Sequence, residues 1–255
     1  MGKKNLIFCL FALLIVQTPI FAQKNQVDAK GRKQGVWEKQ YPNSLVYEYK
    51  GQFKDDKPVG TFTYYYTNTK VKAIIKHNEK TGRSESYMYH DNGQLMAFGI
   101  YMNQKKDSVW TQFGPSGRLS FKETYKNGVL NGKMIVYYVP EDPEDKSQKI
   151  AKTCNYKDGK LEGEAIEYFN TGTVKSKCFY QKGEKHGLCI YNHSNGQPMM
   201  HEHFRYGVRY GYFMAFDESG KEIGRKYYRY GSLLEGDELK KWIEECKVKG
   251  VNPYE

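Results

Sequence analysis

Two consecutive stretches of the chain, GEAIEYFNTGTVKSKCFYQKGEKH (Gly163–His186) and GLCIYNHSNGQPMMHEHFRYGVRY (Gly187–Tyr210), share one layout. Each holds an aromatic-rich run, a turn with glycine, a second run and a second glycine turn. Runs of about six to eight residues between such turns are typical of strands, and turns this short allow only antiparallel neighbours. Each stretch therefore predicts one β-hairpin.

The same unit recurs along most of the chain. Its predicted starts, with Ser108 in a glycine slot, are Gly35, Gly60, Gly82, Ser108, Gly132, Gly163, Gly187 and Gly211. A period of about 24 residues marks a repeat array, in which each repeat contacts only its neighbours. Eight hairpins of this kind predict an all-β fold, an elongated and twisted antiparallel meander with the shape of a half-pipe.

Two positions of the unit predict which sheet face is buried. Seven residues before the starts the chain has Phe53, Ile75, Tyr101, Tyr125, Tyr156, Tyr180 and Phe204. Two residues after them it has Trp37, Phe62, Ser84, Trp110, Met134, Ala165, Cys189 and Phe213, a mix of large and small side chains that suits a packed inner surface. We expect both rows on one face.

The turns are predicted from glycine dipeptides. Asn127-Gly128 and Asp158-Gly159 are typical of two-residue type I′ turns. A second set ends in Gly93, Gly117, Gly172, Gly196 and Gly220. The pattern places Gly231 beyond the last hairpin.

The first 22 residues predict a secretory signal peptide. Lys3 and Lys4 precede an apolar stretch from Leu6 to Val16, and a cut after Ala22 is plausible. The stretch is too short to span a bilayer, so we expect an exported chain, periplasmic, secreted or envelope-associated, without a transmembrane segment after cleavage. We divide the chain into residues 1–22, a lead-in at 23–34, the repeat array at 35–234, and a capping helix with tail at 235–255.

The C-terminal helix is predicted from spacing. Leu239, Trp242, Ile243 and Cys246 lie on one helical face, Asp237 suits the N-cap and Gly250 suits the stop. We expect this helix to hide the last open sheet edge. A partner-binding helix is the alternative.

The chain is basic. It has 40 Lys and Arg against 29 Asp and Glu, and loss of Lys3 and Lys4 leaves 38 − 29, or +9. One interpretation is an acidic partner such as nucleic acid, anionic lipid or an acidic protein. The other, which we favour, is that lysines keep exposed strands from pairing edge to edge, and nucleic acid is then not expected.

The recurring pattern G-x-W/F-x-x-Y/F-Y-x-x-G-x-L/V followed by Y-K-x-G-x-x-x-G appears in GVWEKQYPNSLVYEYKGQFKDDKPVG and in GKMIVYYVPE. It resembles the bacterial MORN-repeat variant family from about Lys33 to Tyr230. The resemblance implies an elongated hairpin array that acts as a scaffold or interaction module without catalysis. Some bacterial members are described as antitoxin components. Ser108, the long fifth repeat and the weak Asn68-Thr69 turn depart from the pattern.

The cysteines, histidines and acidic residues are the candidates for chemistry in this chain. Cys178 and Cys189 lie on adjacent strands around one turn, directly opposite or diagonal, which makes a disulfide plausible in an exported protein. Cys154 and Cys178 occupy one slot of consecutive hairpins, roughly 9.6 Å apart, too far for a bridge.

Metal sites and catalytic motifs are not favoured. A tight Asn195-Gly196 turn puts Cys189 opposite Glu202, on the other face from His201 and His203, which argues against a zinc site with His193. Calcium binding by the acidic insert is not expected because no glycine-turned loop frames its carboxylates, Glu141, Asp142, Glu144, Asp145 and the nearby Asp158. No phosphate loop, nucleophile elbow or HExxH motif occurs, so we expect no enzyme and no cofactor.

Three functions remain open. The first is an exported, non-enzymatic scaffold for protein–protein interaction with an envelope partner. The second is a glycan or cell-wall binding module that uses exposed rings. The third is an antitoxin-like neutralising role, suggested only by the resemblance. The candidate binding aromatics are Tyr64, Tyr65, Tyr66, Tyr137 and Tyr138, and strand alternation predicts that Tyr64 and Tyr66 share a face.

Overall fold

The computed structural model describes residues 23–140, 142 and 144–253. The predicted signal peptide lies outside them. The strands are β1 Gln26–Val27, β2 Lys33–Gln40, β3 Tyr47–Lys54, β4 Lys57–Tyr65, β5 Val71–His77, β6 Arg83–Tyr89, β7 Leu95–Met102, β8 Lys105–Phe113, β9 Leu119–Lys126, β10 Val129–Leu130, β11 Gly132–Tyr137, β12 Ile150–Lys157, β13 Lys160–Leu161, β14 Gly163–Tyr168, β15 Val174–Gln181, β16 Glu184–Lys185, β17 Gly187–Asn192, β18 Pro198–Arg205, β19 Val208–Arg209, β20 Gly211–Phe216, β21 Glu222–Arg229 and β22 Ser232–Leu234. The helix α1 spans Gly236–Val248.

The strands form one open sheet in which neighbours along the chain are antiparallel neighbours in space. The same order continues to the C-terminal end. The predicted all-β hairpin meander followed by one short helix is confirmed.

Left-handed backbone marks the two turn ends of the hairpins. At one end lie two-residue turns with positive φ at both residues, the arrangement of type I′: Asp55-Asp56, Asn103-Gln104, Asn127-Gly128, Asp158-Gly159, Lys182-Gly183, Tyr206-Gly207 and Tyr230-Gly231. At the other end, glycines such as Gly93 (φ 88°) and Gly196 (φ 87°) close three-residue loops. The placement of Gly231 beyond the last hairpin was wrong, because Tyr230-Gly231 joins β21 to β22.

The start residues explain the glycine period. Gly35, Gly60, Gly163 and Gly187 have φ between 63° and 80°, and Ser108 reaches 59°. At Gly187 the pairing with β15 shifts, because Gln181 faces Glu184 whereas Lys177 faces Ile190. Between Glu184 and Ile190 the chain therefore contains two more residues than the part of β15 that it faces. The left-handed start lets the chain pass this irregularity, and glycine adopts that conformation without a steric cost.

The third repeat starts two residues later than the glycine pattern predicts. β5 and β6 pair without a shift, from His77↔Ser84 to Ala73↔Met88. No left-handed start is needed, and Gly82 instead closes the loop after Asn78. The equivalent of the other starts is therefore Ser84, which restores a spacing of 84 − 60, or 24 residues. Seven residues before Ser84 lies His77. The third repeat therefore contributes a ring to the aromatic row, and not the aliphatic Ile75.

One face of the sheet carries the buried side chains, and we call it the inner face. Its fully or nearly buried residues include Phe62, Trp110, Cys154, Ala165, Cys178 and Cys189. Large side chains lie opposite small ones: an added Cβ would lie 2.4 Å from the Phe62 ring at Gly51 and 2.3 Å from the Trp110 ring at Gly99. The predicted core row is buried at most positions, whereas Trp37, Met134 and Phe213 are half-buried.

The helix α1 docks through the predicted apolar face. Trp242 Nε1 donates to the Tyr227 hydroxyl at 2.7 Å, and the Arg229 guanidinium lies 3.8 Å from the centre of the Trp242 ring system. Tyr227 and Cys246 are buried. The predicted N-cap was wrong, because Glu235 occupies that position and Asp237 lies in the first turn. No helix in the described ranges is long and apolar enough to cross a membrane.

The two edge strands of the sheet are covered to different extents. At the N-terminal end, β1 pairs with β2 at Lys33 and Gln34. Beyond it, the Asn25 side chain accepts from the Glu38 N–H and donates to the Glu38 carbonyl, so it covers part of the edge as a strand would. At the C-terminal end β22 covers only Tyr227–Arg229 of β21.

A start glycine tests this account of the repeat. Gly163 has φ 80° and open space where a Cβ would be added, so Gly163→Ala should lose about 1–2 kcal/mol through backbone strain alone. Gly224 has equally open space in an extended strand, so Gly224→Ala should be neutral or slightly stabilising. Chemical denaturation of both variants measures this. Equal effects would contradict the role of the left-handed start.

Candidate functional site

Two of the predicted binding aromatics, Tyr64 and Tyr65, line a groove of about 330 Å³ in the N-terminal half of the sheet. We call it the aromatic groove. Its full lining is Tyr41, Glu48, Tyr64, Tyr65, Lys72, Ala73, Ile75, Met88 and Met96. The volume lies at the small end of the range of ligand sites, about 300–1,000 Å³, and rings and thioethers form most of the lining.

A recurring β-bulge shapes the groove. In each hairpin the register shifts at the end of the first long strand, for example between Tyr64 and Tyr65. The extra residues on the second strands include Glu48, Lys72 and Met96, one in each of three successive hairpins. Because a bulge interrupts strict alternation on the strand that carries the extra residue, the consecutive residues Lys72 and Ala73 can line one groove. Glu48, Lys72 and Met96 were not predicted from the sequence, because no local sequence pattern marks the extra residue of a bulge.

Aromatic rings support the groove from within the sheet. Tyr64 lies 5.9 Å from Tyr49 and 6.1 Å from Phe62, centre to centre. Phe62 in turn contacts Phe53 at 5.1 Å and His77 at 5.4 Å, both edge to face. Such pairs contribute about 0.5–1.5 kcal/mol beyond their buried area. The rings are therefore held in place before any ligand arrives.

Charges sit at the rim of the groove. Glu48 pairs with Lys39 at 2.6 Å, and both side chains are partly exposed, so the pair adds little to stability. Burial, and then the neighbouring Tyr49 and Glu48, raise the pKa of Tyr64 above its ordinary value. Tyr64 is therefore neutral at physiological pH, with a hydroxyl that can both donate and accept.

The other predicted aromatics are not part of this groove. β4 ends at Tyr65, so alternation does not assign a face to Tyr66, whose hydroxyl donates to the Tyr89 carbonyl at 2.8 Å. Tyr138 donates to the Tyr168 carbonyl, and Tyr137 pairs with Ile150. Six strand spacings separate β4 from β11, roughly 29 Å along the sheet.

Tyr66 and Tyr138 belong to a ladder that joins successive repeats. Six residues after the starts, a ring side chain reaches a backbone carbonyl of the next repeat: Tyr41 to Tyr65 at 2.7 Å, Tyr66 to Tyr89 at 2.8 Å, His90 to Phe113 at 3.0 Å, Tyr138 to Tyr168 at 2.5 Å, and His193 to Phe216 at 3.0 Å. The recurrence of Tyr or His at this one position was the sequence signal for the ladder. These hydroxyls and imidazoles are therefore engaged in hydrogen bonds within the protein.

The comparison with known families agrees with this repeat geometry. Residues 161–182 match the model of the MORN repeat variant. The matched segment starts in β13, crosses β14 and β15, and ends in the turn at Lys182. This hairpin is similar to the MORN repeat variant. No curated protein matches the chain.

The other hairpins share the strand pairing of the matched hairpin and differ from it in their side chains. Between the matched hairpin and its successor, two facing buried positions carry cysteine instead of a ring: Cys178 and Cys189 are joined as a disulfide with Cα atoms 4.3 Å apart. Pairs of Ser176 with Tyr191 and of Lys177 with Ile190 continue to Cys178 opposite Cys189. Cys154, two strands away, is a free and buried thiol.

The strand register separates the residues considered for zinc. Cys189 faces Glu202, while His201 faces Ile190 and His203 faces Leu188. Within the described ranges no group of three or more His, Cys, Asp or Glu side chains could hold a metal ion. In the acidic insert, Asp142 and Asp145 accept from the backbone N–H groups of Glu144 and Ser147. Glu141 lies outside the described residues.

A cavity of about 680 Å³ lies where the third repeat departs from the others. Loop residues form much of its wall, and His77 and Ser84 lie at its side, with Nδ1 and Oγ 2.8 Å apart. Burial lowers the pKa of His77, so the ring is neutral at physiological pH. Ser84 is 9% exposed. The pair joins β5 to β6 beside the loop.

The inter-repeat ladder can be tested at Tyr66. Tyr66→Phe leaves the Tyr89 carbonyl without its donor and should cost about 1 kcal/mol of unfolding free energy. Tyr230 is 70% exposed, so Tyr230→Phe is the matched control and should change stability little. Urea denaturation of the two variants gives the comparison. A loss at Tyr66 no larger than that at Tyr230 would rule out a stabilising ladder.

Proposed function

We propose that this protein is an exported, non-enzymatic repeat scaffold that binds a protein partner through the aromatic groove. The observation that carries the proposal is the groove itself: preordered rings, two methionines and a charged rim, on a sheet built from MORN-type hairpins. Aromatic residues and methionine are enriched at protein interfaces, and methionine adapts its shape to a partner side chain. A partner with a projecting apolar side chain beside a charged group fits this site.

Glycan binding is the second candidate, and a different surface favours it. Tyr87, Phe98 and Phe113 form a row of nearly parallel rings with centres 6.4 and 6.1 Å apart. Phe98 is 38% exposed. Exposed ring faces of this kind can stack on sugars, so the test of the protein-binding proposal includes cell-wall material.

Variant-dependent capture tests the groove. Tyr65→Ala with Met96→Ala empties part of the lining, and Phe179→Ala is the matched control, because Phe179 is a 47% exposed ring on β15, far along the sheet. Quantitative mass spectrometry of captures from envelope extract should show a defined set of proteins reduced about tenfold or more by the groove variant alone, the effect of 1.4 kcal/mol.

Other outcomes of the same capture are decisive too. If no captured protein depends on Tyr65 and Met96, the groove is not the protein-binding site. If no captured protein depends on the groove and Phe98→Ala abolishes retention on insoluble cell-wall material, the glycan function replaces the proposed one. Melting temperatures of all variants accompany the assay.

Export is supported by the predicted signal peptide and by the Cys178–Cys189 disulfide, since disulfides persist in oxidising compartments. Cell fractionation should recover the protein outside the cytoplasm, and N-terminal sequencing should begin at Gln23. Recovery from the cytoplasm with the first 22 residues intact would remove export from the proposal.

A further inference from the structure

The last long strand of the sheet lacks a neighbour on one side. In the preceding hairpin, β18 pairs with β17 on one side and with β20 on the other. β21 pairs with β20 along Glu222–Tyr228, but β22 accompanies it only at Tyr227–Arg229. No strand of the described residues lies beside the rest of that side. Lys221–Lys226 are all exposed, and we call this segment the C-terminal edge.

Gly224 gives the C-terminal edge a recognisable shape. It lies on the inner face, opposite Ala215, in the second long strand of its hairpin. Gly51 and Gly99 lie on the inner face of equivalent strands, two residues nearer the two-residue turn than Gly224, and each is covered by an aromatic ring of the next strand, Phe62 or Trp110. Around Gly224 no atom lies within 4 Å of a Cβ position. A strand glycine of this type is stabilised by an aromatic ring across the strand pair.

The charge of the edge selects among partner segments. The C-terminal edge, KEIGRK, has three basic residues and one acidic residue, a net charge of +2, and Arg225 pairs with Glu222 within it. Opposite charges across adjacent strands are favourable and like charges are not. An acidic segment is therefore complementary to this edge.

The opposite end of the sheet argues against a second copy of the chain as the occupant. There β1 and the Asn25 side chain already bond to β2, with Asn25 N–H donating to the Val36 carbonyl at 2.8 Å. End-to-end stacking of copies would require these bonds to break. The covered N-terminal edge and the uncovered C-terminal edge thus favour a different chain.

We propose that the C-terminal edge binds an extended, acidic segment of a partner protein as one additional antiparallel strand, with an aromatic side chain opposite Gly224. Main-chain hydrogen bonds then supply affinity, and the glycine and basic residues supply specificity. The orientation follows the rest of the sheet, where neighbouring strands are antiparallel. This inference deepens the proposed scaffold function and uses a surface distinct from the aromatic groove.

Synthetic peptides test the edge directly. The probe is a fluorescein-labelled peptide of about eight residues, the length of a long strand, in which glutamate alternates with valine around one central tryptophan. Fluorescence anisotropy with the purified protein should show saturable binding. Replacing the tryptophan by glycine, or the glutamates by lysine, should weaken binding about tenfold or more.

Gly224→Val tests whether the open space at Gly224 is needed for peptide binding. Its β-branched side chain fills the space for the ring yet suits a strand, so the free protein should melt at the same or a higher temperature. Peptide affinity should fall about tenfold or more. The matched control is Gln26→Val, an exposed residue of β1 at the opposite edge, and it should bind as the unmodified protein does.

Three results would overturn the proposal: no binding of the acidic tryptophan peptide, equal affinity for the tryptophan-free peptide, or unchanged affinity after Gly224→Val. The capture experiment separates this site from the groove. Protein capture lost in the Tyr65→Ala and Met96→Ala variant, but kept in Gly224→Val, would leave the groove proposal standing and remove the edge.

Discussion

A backbone residue in the left-handed region, placed at the start of the long strand, is the constraint on which most hairpins depend. It lies where the pairing shifts between a two-residue turn and the strand that follows, as at Gly187. An L-residue other than glycine loses about 1–2 kcal/mol in this conformation. Glycine therefore recurs at that position, and Ser108 is the exception, with its hydroxyl bonded to Asp107. Where the shift is missing, in the third hairpin, the left-handed start is missing as well.

The regular backbone lets one row of side chains vary in size from repeat to repeat. In the N-terminal half the inner face alternates rings with glycines, as Phe62 does with Gly51. Farther along, the small side chains of Ala165, Cys178 and Cys189 occupy the same row. Protein interiors require that such volumes match across strands. The aromatic groove lies in the ring-rich half, where stacked rings extend from the buried row, at Phe62, to the bulged end of the strand, at Tyr64.

Much of the positive charge has a role inside the array. Lys33, Lys106 and Lys185 each lie two residues before a start and place the ammonium group within 4.9 Å of a ring on the inner face. A contact of this kind stabilises by about 0.5–1 kcal/mol at exposed sites. These lysines are accounted for without an acidic ligand. Within the C-terminal edge, Arg225 pairs with Glu222 and lies 5.2 Å from the centre of the Tyr212 ring, whereas Lys221 and Lys226 are exposed beside the uncovered strand.

The sequence alone determined the hairpin, the 24-residue period, the turn types and the identity of the buried rows, because left-handed turns and strand alternation act over a few residues. It also located Tyr64 and Tyr65. It misplaced the third start at Gly82 and set Gly231 beyond the last hairpin, since a glycine with positive φ serves equally in a loop, a turn or a strand start. Only the tertiary structure decided between them, through the pairing partner of each strand. The same holds for Glu48, Lys72 and Met96, which meet at one groove because bulges in three successive hairpins align, and for Gly224, whose open space depends on a strand that the chain does not supply.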